Sequence, residues 1–407
     1  MSRSERARGL ARVPLAATRP MQSLFERLLA RAQRGRITVR WPDGRAFVHE
    51  GALDGPSAEV RVHDPRAVLR VLAGGSVGLG DSFVDGQWDS PDLLAVLSFA
   101  AANLDANESR FVGSPPAAAW HRFMHALRAN TRLGARKNIL EHYDLGNEFY
   151  AAWLDPDLTY SCALFDGTCS DLAEAQRAKW DRLLDLLGLE RGQHLLEIGC
   201  GWGGFAVHAA KTRGLRVTGI TISDAQHAWA SRRVSEEGVG DLVSIRLEDY
   251  RDVRGTYDGV ASIEMFEAVG ERYWDTFFAC VRDRLRRGGT AALQVITIAD
   301  HLFERYRSKP DFIQRRIFPG GMLPSPSRFL ADAAGAGLAA DAPFFFGRDY
   351  AMTLSEWRSR FDAAIQQVRR LGFDERFERL WRFYLSYCEA GFSSGRIDVM
   401  QVALTRR

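Results

Sequence analysis

Cysteine is scarce in this 407-residue chain and badly spaced for the chemistry cysteine usually supports. Cys162, Cys169, Cys200, Cys280 and Cys388 are odd in number, with no CxxC pair and no paired histidines beside them. That spacing argues against a disulfide framework or a zinc site, so no metal is expected, and a reducing cytoplasm suits the chain. Long apolar runs are missing too. The longest, such as residues 94–102, fall well short of the roughly 20 residues a membrane-spanning helix needs, which reads as a protein that can lie on a bilayer without crossing it. No continuous apolar core follows the basic start, since residues 10–17 are broken by Arg12 and Pro14, and a secretory signal is not expected. Acidic residues are rare over residues 1–40, where ten arginines face only Glu5 and Glu26, although the whole chain carries a net charge of just +3. Such an end prefers an anionic partner; an organelle transit peptide is the competing reading.

What is present is an ordinary globular balance, 46% hydrophobic and 26% charged, long enough for two domains with real cores. Met21, Leu24, Phe25, Leu28, Leu29 and Ala32 recur at helical spacing, so residues 20–34 read as a basic amphipathic helix closing a 1–36 segment. Residues 37–104 alternate in short strands around the Pro42-Asp-Gly turn and then turn helical, which reads as a small α+β domain. Residues 105–140 read as a helical connector, with loop punctuation at Gly113-Ser-Pro-Pro and a basic helix at 120–133. From residue 141 to 407 strands and helices alternate, with strands expected at 194–198, 216–222, 242–247, 259–263 and 290–298. That alternation calls for an α/β, doubly wound, Rossmann-like parallel sheet.

The sharpest local signal is Leu195-Leu-Glu-Ile-Gly-Cys-Gly-Trp-Gly-Gly204, a buried-strand run ending in a glycine turn that opens a helix. Glycines there let the backbone turn tightly and approach a ligand with no Cβ in the way. The spacing Glu197-x-Gly199-x-Gly201-x-Gly203 resembles motif I of class I methyltransferases. The competing dinucleotide fingerprint wants an acid at the end of the second strand, where this chain reads Gly219-Ile-Thr-Ile-Ser.

Further segments resemble the cyclopropane fatty acid synthases and the related mycolic acid methyltransferases, over about residues 37–407. They are His142-Tyr-Asp-Leu-Gly-Asn-Glu-Phe-Tyr150, Leu158-Thr-Tyr-Ser-Cys-Ala163, Met265-Phe-Glu-Ala-Val-Gly270, Phe312-Ile-Gln-Arg-Arg-Ile-Phe-Pro-Gly-Gly-Met-Leu-Pro-Ser325 and Asp349-Tyr350. The resemblance implies that Tyr160, Ser161, Gly199, Gly201, Gly203, Thr221, Gln226, Tyr250 and Arg251 surround S-adenosylmethionine, and that 37–104 is lipid-binding. It implies methyl transfer to the cis double bond of an unsaturated phospholipid acyl chain, at the inner face of an anionic membrane. The carbocation so formed would be deprotonated by a bicarbonate ion held by Cys162, Glu267 and Tyr350, closing a cyclopropane. An alkene is a feeble nucleophile, so positioning and exclusion of water carry most of such a catalysis.

One departure stands out: relatives carry a histidine where this chain has Ile296, in Gln294-Val-Ile-Thr-Ile-Ala299. Losing that donor to the anion leaves methyl transfer intact but opens a second outcome, a methylene or methyl-branched chain. A lipid-binding protein with a decayed core is the rival from another class. Nucleic-acid methylation is disfavoured, because Ser262-Ile-Glu-Met-Phe-Glu stands where an Asn-Pro-Pro-Tyr base pocket would be. Acyl length, head group and assembly, monomer or homodimer, are left open.

Overall fold

The computed structural model describes residues 15–107, 145–165, 167 and 171–407. The start of the chain, the expected helix at 120–133, His142 to Asp144 and Cys169 lie outside the described residues. The chain divides into two compact units, Met1–Pro115 and Pro116–Arg407.

In the first unit the order is α1 (Leu15–Leu29), β1 (Arg34–Arg40), β2 (Ala46–Glu50), β3 (Leu53–Val62), α2 (Arg66–Val84), β4 (Trp88–Asp89) and α3 (Leu93–Asn107). The strands line up as β2-β1-β3-β4, with β1 antiparallel to β2 across the expected Pro42-Asp-Gly turn and parallel to β3. Alternation in β1 puts Ile37 and Val39 in the core while Arg36 and Arg40 face solvent. Helix α1 stops five residues before the expected end, because Arg34 already pairs in the sheet. Helix α2 corrects the reading of apolar runs: by length and composition it is apolar enough to cross a membrane. Run length missed it because Arg70, glycines and Asp81 interrupt the sequence. Its geometry breaks at Gly75, with φ 54° and ψ −131°, so neither half alone approaches the roughly 20 residues of a span.

The second unit begins with α4 (Asn147–Ala151) and α5 (Leu172–Leu187). There follow β5 (His194–Ile198), α6 (Gly204–Arg213), β6 (Arg216–Thr221), α7 (Asp224–Glu236), β7 (Val243–Leu247), β8 (Tyr257–Ile263), α8 (Trp274–Arg284) and β9 (Leu285–Ile298). Then come α9 (Asp300–Ser308), α10 (Phe312–Arg316), α11 (Pro326–Gly335), β10 (Leu338–Ala340), β11 (Phe344–Phe345), α12 (Gly347–Ala363), α13 (Ile365–Arg370), α14 (Glu375–Ser393) and β12 (Ile397–Arg406). The sheet runs β10-β12-β9-β8-β5-β6-β7, with β11 also on β12. Strands β5 to β9 are parallel, as the alternation predicts. Strand β12 is antiparallel to β9 and β10, so the sheet is mixed rather than purely parallel. Strand β9 starts at Leu285, earlier than expected, and a register shift around Arg286–Gly289 absorbs the extra residues.

Helices cover both faces. Trp180, Leu183 and Leu187 pack with Phe205 and Ala209 on one side; Trp274, Phe277, Phe278, Val281 and Phe329 pack on the other. The strand order reverses between β5, whose successor β6 lies to one side, and β8 on the other. Ligands of open α/β sheets bind at such a switch point, outside the carboxyl ends of the strands.

Candidate active site

Strand β5 ends in the glycine turn, where Gly199, Gly201 and Gly203 take φ of 84°, 52° and 83°, a region that disfavours any side chain. Gly199 and Cys200 donate backbone N–H groups to Ile220 O at 3.0 and 2.9 Å, which pins the turn to β6. A Cβ on Gly203 would come within 3.0 Å of Ala230 Cβ, so this glycine serves helix packing. A Cβ on Gly201 would meet nothing within 4 Å among the described residues, at the carboxyl end of β5. At the end of β6, Thr221 Oγ1 donates to Gln226 Oε1 at 2.8 Å, and Ser223 caps α7 by accepting from Gln226 N. After β7, the Arg251 guanidinium lies against the Asp249 carboxylate at 2.5 Å and over the rings of Tyr250 and Tyr273. Arg251 is therefore held by Asp249, and Tyr250 presents its ring beside Phe277.

The residues fit S-adenosylmethionine on two observations besides the open face of Gly201. Glu197 is buried, and its Oε2 has no hydrogen-bond partner among the described residues; burial pushes its carboxyl up to about 8. An unpaired carboxyl oxygen at the carboxyl end of the central strand suits a cationic ligand, whose charge would lower that value again. Bound there, S-adenosylmethionine would supply an electrophilic methyl on a sulfonium, while Glu197, the glycine turn and Thr221 hold and orient it.

The segment carrying Tyr160, Ser161 and Cys162 reaches the same region from before α5. Tyr160 Oη lies 2.8 Å from Tyr384 Oη, and its ring packs on Trp357, with centroids 5.3 Å apart. Ser161 Oγ accepts from the fully buried Lys179 at 2.7 Å, and Gln176 Nε2 donates to Ser161 O at 2.9 Å. Burial lowers the Lys179 ammonium to about 8, with Glu264 pulling the other way. Cys162 is buried, its Sγ donates to Ala163 O, and burial, then Glu264, pushes the thiol well up, which keeps it a neutral thiol. Ala163 N in turn donates to Thr353 Oγ1 at 3.1 Å and Phe165 N to Asp349 at 2.9 Å, clamping this loop to α12.

The structure brings Cys162, Glu267 and Tyr350 together, but around a residue that reading of the sequence passed over. Glu264, immediately after β8, accepts the Cys162 backbone N–H at 2.8 Å and Gln294 Nε2 at 2.7 Å on Oε1, and Tyr350 Oη at 2.6 Å on Oε2. Glu264 sits at φ 50°, a costly conformation for a residue with a side chain, and the three donors hold it there. Its own N–H still donates to Gln294 O at 2.8 Å, so the sheet pairing carries one residue past the strand. Gln294 is braced from the other side, since its Oε1 accepts from Gln401 Nε2 at 2.9 Å. Burial raises the Glu264 carboxyl, while Tyr350, Lys179 and Gln294 pull it back.

Glu267 Oε1 accepts the Ile296 backbone N–H at 2.5 Å, and its Oε2 is buried with no hydrogen-bond partner among the described residues. Burial first, and then the charge on Glu264, lifts it to about 8, so it holds a proton at neutral pH. Thus Ile296, where the resemblance led one to expect a histidine, is bonded through its main chain to Glu267. The fit to bicarbonate fails on the same geometry. The Cys162 N–H and the Tyr350 hydroxyl are both engaged by Glu264, so a further anion would meet a carboxyl where those two donors were expected.

Against known proteins, the model of the mycolic acid cyclopropane synthetase family matches residues 131–402. The chain belongs to this family. Among its relatives, the tuberculostearic acid methyltransferase UfaA1 of Mycobacterium tuberculosis is 39% identical over 99% of this chain and 96% of its own length. The cyclopropane-fatty-acyl-phospholipid synthase of Escherichia coli K12 is 35% identical over 87% of this chain and 90% of its own. Among solved structures, the mycolic acid cyclopropane synthase CmaA1 in complex with SAH is 31% identical, covers 67% of this chain and 98% of its own, and superimposes with a TM-score of 0.63. The cyclopropane synthase MmaA2 of Mycobacterium tuberculosis superimposes equally well at 30% identity. Membership makes the chain an S-adenosylmethionine-dependent C-methyltransferase acting on lipids, built on the class I methyltransferase fold.

Proposed function

We propose that the protein transfers the methyl group of S-adenosylmethionine to the cis double bond of an unsaturated acyl chain in a membrane phospholipid. The observation that carries this reading is the cluster of aromatic rings beside Glu264. Tyr350, which donates to Glu264, packs edge-on against Trp357 and stacks on Phe392 at 4.2 Å, and Trp357 packs in turn on Tyr160. An oxygen or nitrogen substrate needs a base alone, whereas methylating an alkene leaves a carbocation, which π faces and a nearby carboxylate stabilise. Tyr160, Ser161, Gly199, Gly201, Gly203, Thr221, Gln226, Tyr250 and Arg251 form the cofactor's surroundings in this reading, and Cys162, Glu267 and Tyr350 stand at the reacting carbon. Ring closure to a cyclopropane through bicarbonate is the first outcome the resemblance implies. Ile296 and the engaged donors of Cys162 and Tyr350 favour the second, a methylene or methyl-branched chain.

Gas chromatography and mass spectrometry of lipids from a host expressing the protein test both. Acyl chains enlarged by one carbon support the function, and chromatographic identity separates ring from methylene or methyl product. Unaltered lipids, with the protein folded and binding S-adenosylhomocysteine, would remove the proposal.

The substrate side is a membrane surface in this reading. Arg19, Arg27, Arg31, Arg34, Arg36 and Arg40 are exposed, and so is Leu24, while Met21, Phe25, Leu28 and Leu29 are only half-buried. A helix with apolar residues left uncovered among arginines suits the interface of an anionic bilayer, where each basic residue contributes on the order of 1 kcal/mol, screened by salt. Vesicle sedimentation should therefore show binding that rises with anionic lipid and falls with salt; equal binding to neutral and anionic vesicles would refute it.

A further inference from the structure

We infer that Glu264 is the base of the reaction: its own carboxylate occupies the place, between the Cys162 backbone N–H and the Tyr350 hydroxyl, where a bicarbonate ion was expected. The inference rests on the proposed methylation of an acyl double bond. Three donors from three separate elements converge on this carboxylate, at 2.6 to 2.8 Å. Such a set favours the ionised acid, the form a base must hold before it acts. The backbone supplies an independent sign. A non-glycine residue held at φ 50° costs on the order of 1–3 kcal/mol, and strain of this kind persists where the surroundings hold a group for a task. The neighbouring acid completes the division of labour. Glu267, raised to about 8, holds its proton, while at Glu264 the three donors and the charge of the buried Lys179 work against burial and favour the carboxylate. Both oxygens of Glu264 accept hydrogen bonds while Glu267 Oε2 has no partner among the described residues, and that difference marks the base and the neutral partner.

The step balances without a further reagent. The alkene π pair forms a carbon–carbon bond to the methyl group as the carbon–sulfur bond breaks, giving S-adenosylhomocysteine and a carbocation on the adjacent chain carbon. Glu264 takes a proton from the transferred methyl, and the electron pair left behind closes the ring onto the cation. If a hydride first shifts so that the cation lies on the methyl-bearing carbon, the same proton loss yields a methylene. Glu264 becomes a carboxylic acid and sheds its proton to water before the next turnover.

The test is turnover of unsaturated phospholipid vesicles in buffer stripped of carbon dioxide, with and without added bicarbonate. The natural protein should be indifferent to bicarbonate. Glu264→Gln should lose about 100-fold or more in turnover, the usual scale for a proton-transfer group, with S-adenosylhomocysteine affinity retained. Glu264→Gly relieves the backbone strain and frees both donors for a small anion. It should be equally slow alone and should recover at least about tenfold with bicarbonate or formate. Saturable bicarbonate dependence of the natural protein would overturn the inference, whether or not the variants fold, and so would near-normal turnover of Glu264→Gln. Absence of any methylated product from the natural protein would instead sink the function on which the inference rests.

Discussion

Gly201→Val is expected to lose affinity for S-adenosylmethionine and S-adenosylhomocysteine by about 100-fold or more while the protein stays folded. Valine at φ 52° costs on the order of 1–3 kcal/mol in a region that β-branched residues avoid, a cost that free and bound protein share and that the melting curve reads. Its Cβ then projects into space that no described residue fills, so the expected clash is with the ligand. Gly203 makes the contrast, since a Cβ there strikes Ala230 and would damage packing. Calorimetric titration with S-adenosylhomocysteine, paired with a melting curve, separates binding from folding. Near-normal affinity in Gly201→Val would remove the glycine turn from the cofactor site.

The stability of the ligand-free protein is expected to fall steeply between pH 5 and pH 8. Glu197 and Glu267 are both raised from an ordinary 4.5 to about 8, chiefly by burial. The folded state therefore binds these protons more tightly than the unfolded chain does. Their contribution is whole below about 4.5 and drains away as the pH rises through the folded values near 8. At roughly 1.4 kcal/mol per pK unit the two together are worth several kcal/mol, with Glu267 discounted because that residue is half-buried. Glu264 and Asp311, also raised by burial, act in the same direction. Lys179 does not offset the loss in this window. Its lowered value, about 8, makes its burial cost relax only above that pH. Glu267→Gln is neutral at every pH and keeps an acceptor for Ile296 N–H, so it should flatten a large part of the slope. Urea denaturation at pH 5.5 and 8.5 measures both. Equal stability of the natural protein at the two values, or an unchanged slope in the variant, would show that these carboxyls are not buried as described.

Both expectations draw on features with different origins. The strand, turn and helix of residues 194–213, the strands that become β6 and β7 and the glycine-rich turn were all legible in the sequence. Each is a local matter: an apolar run, a glycine where a Cβ would collide, an acid at the strand end. The family resemblance likewise rested on short ordered segments, and it pointed to Cys162, Glu267 and Tyr350, which the fold does bring to one place. Strand β12 was not visible as antiparallel, because its direction depends on where the chain returns after the three helices that follow β11 and not on its own residues.

Glu264 shows the limit most sharply. Nothing in Ile263-Glu-Met distinguishes a solvated acid after a strand from the centre of a pocket. Its meaning comes from partners 102, 30 and 86 residues away, on a loop, on β9 and on α12. The sequence alone determined that this chain binds and uses a methyl donor at the end of a parallel sheet, since that site is written in contiguous backbone conformation. Only the tertiary structure decided which acid lies between Cys162 and Tyr350 and which keeps its proton. Desolvation and hydrogen bonding to a carboxylate are set by distant groups that folding brings together.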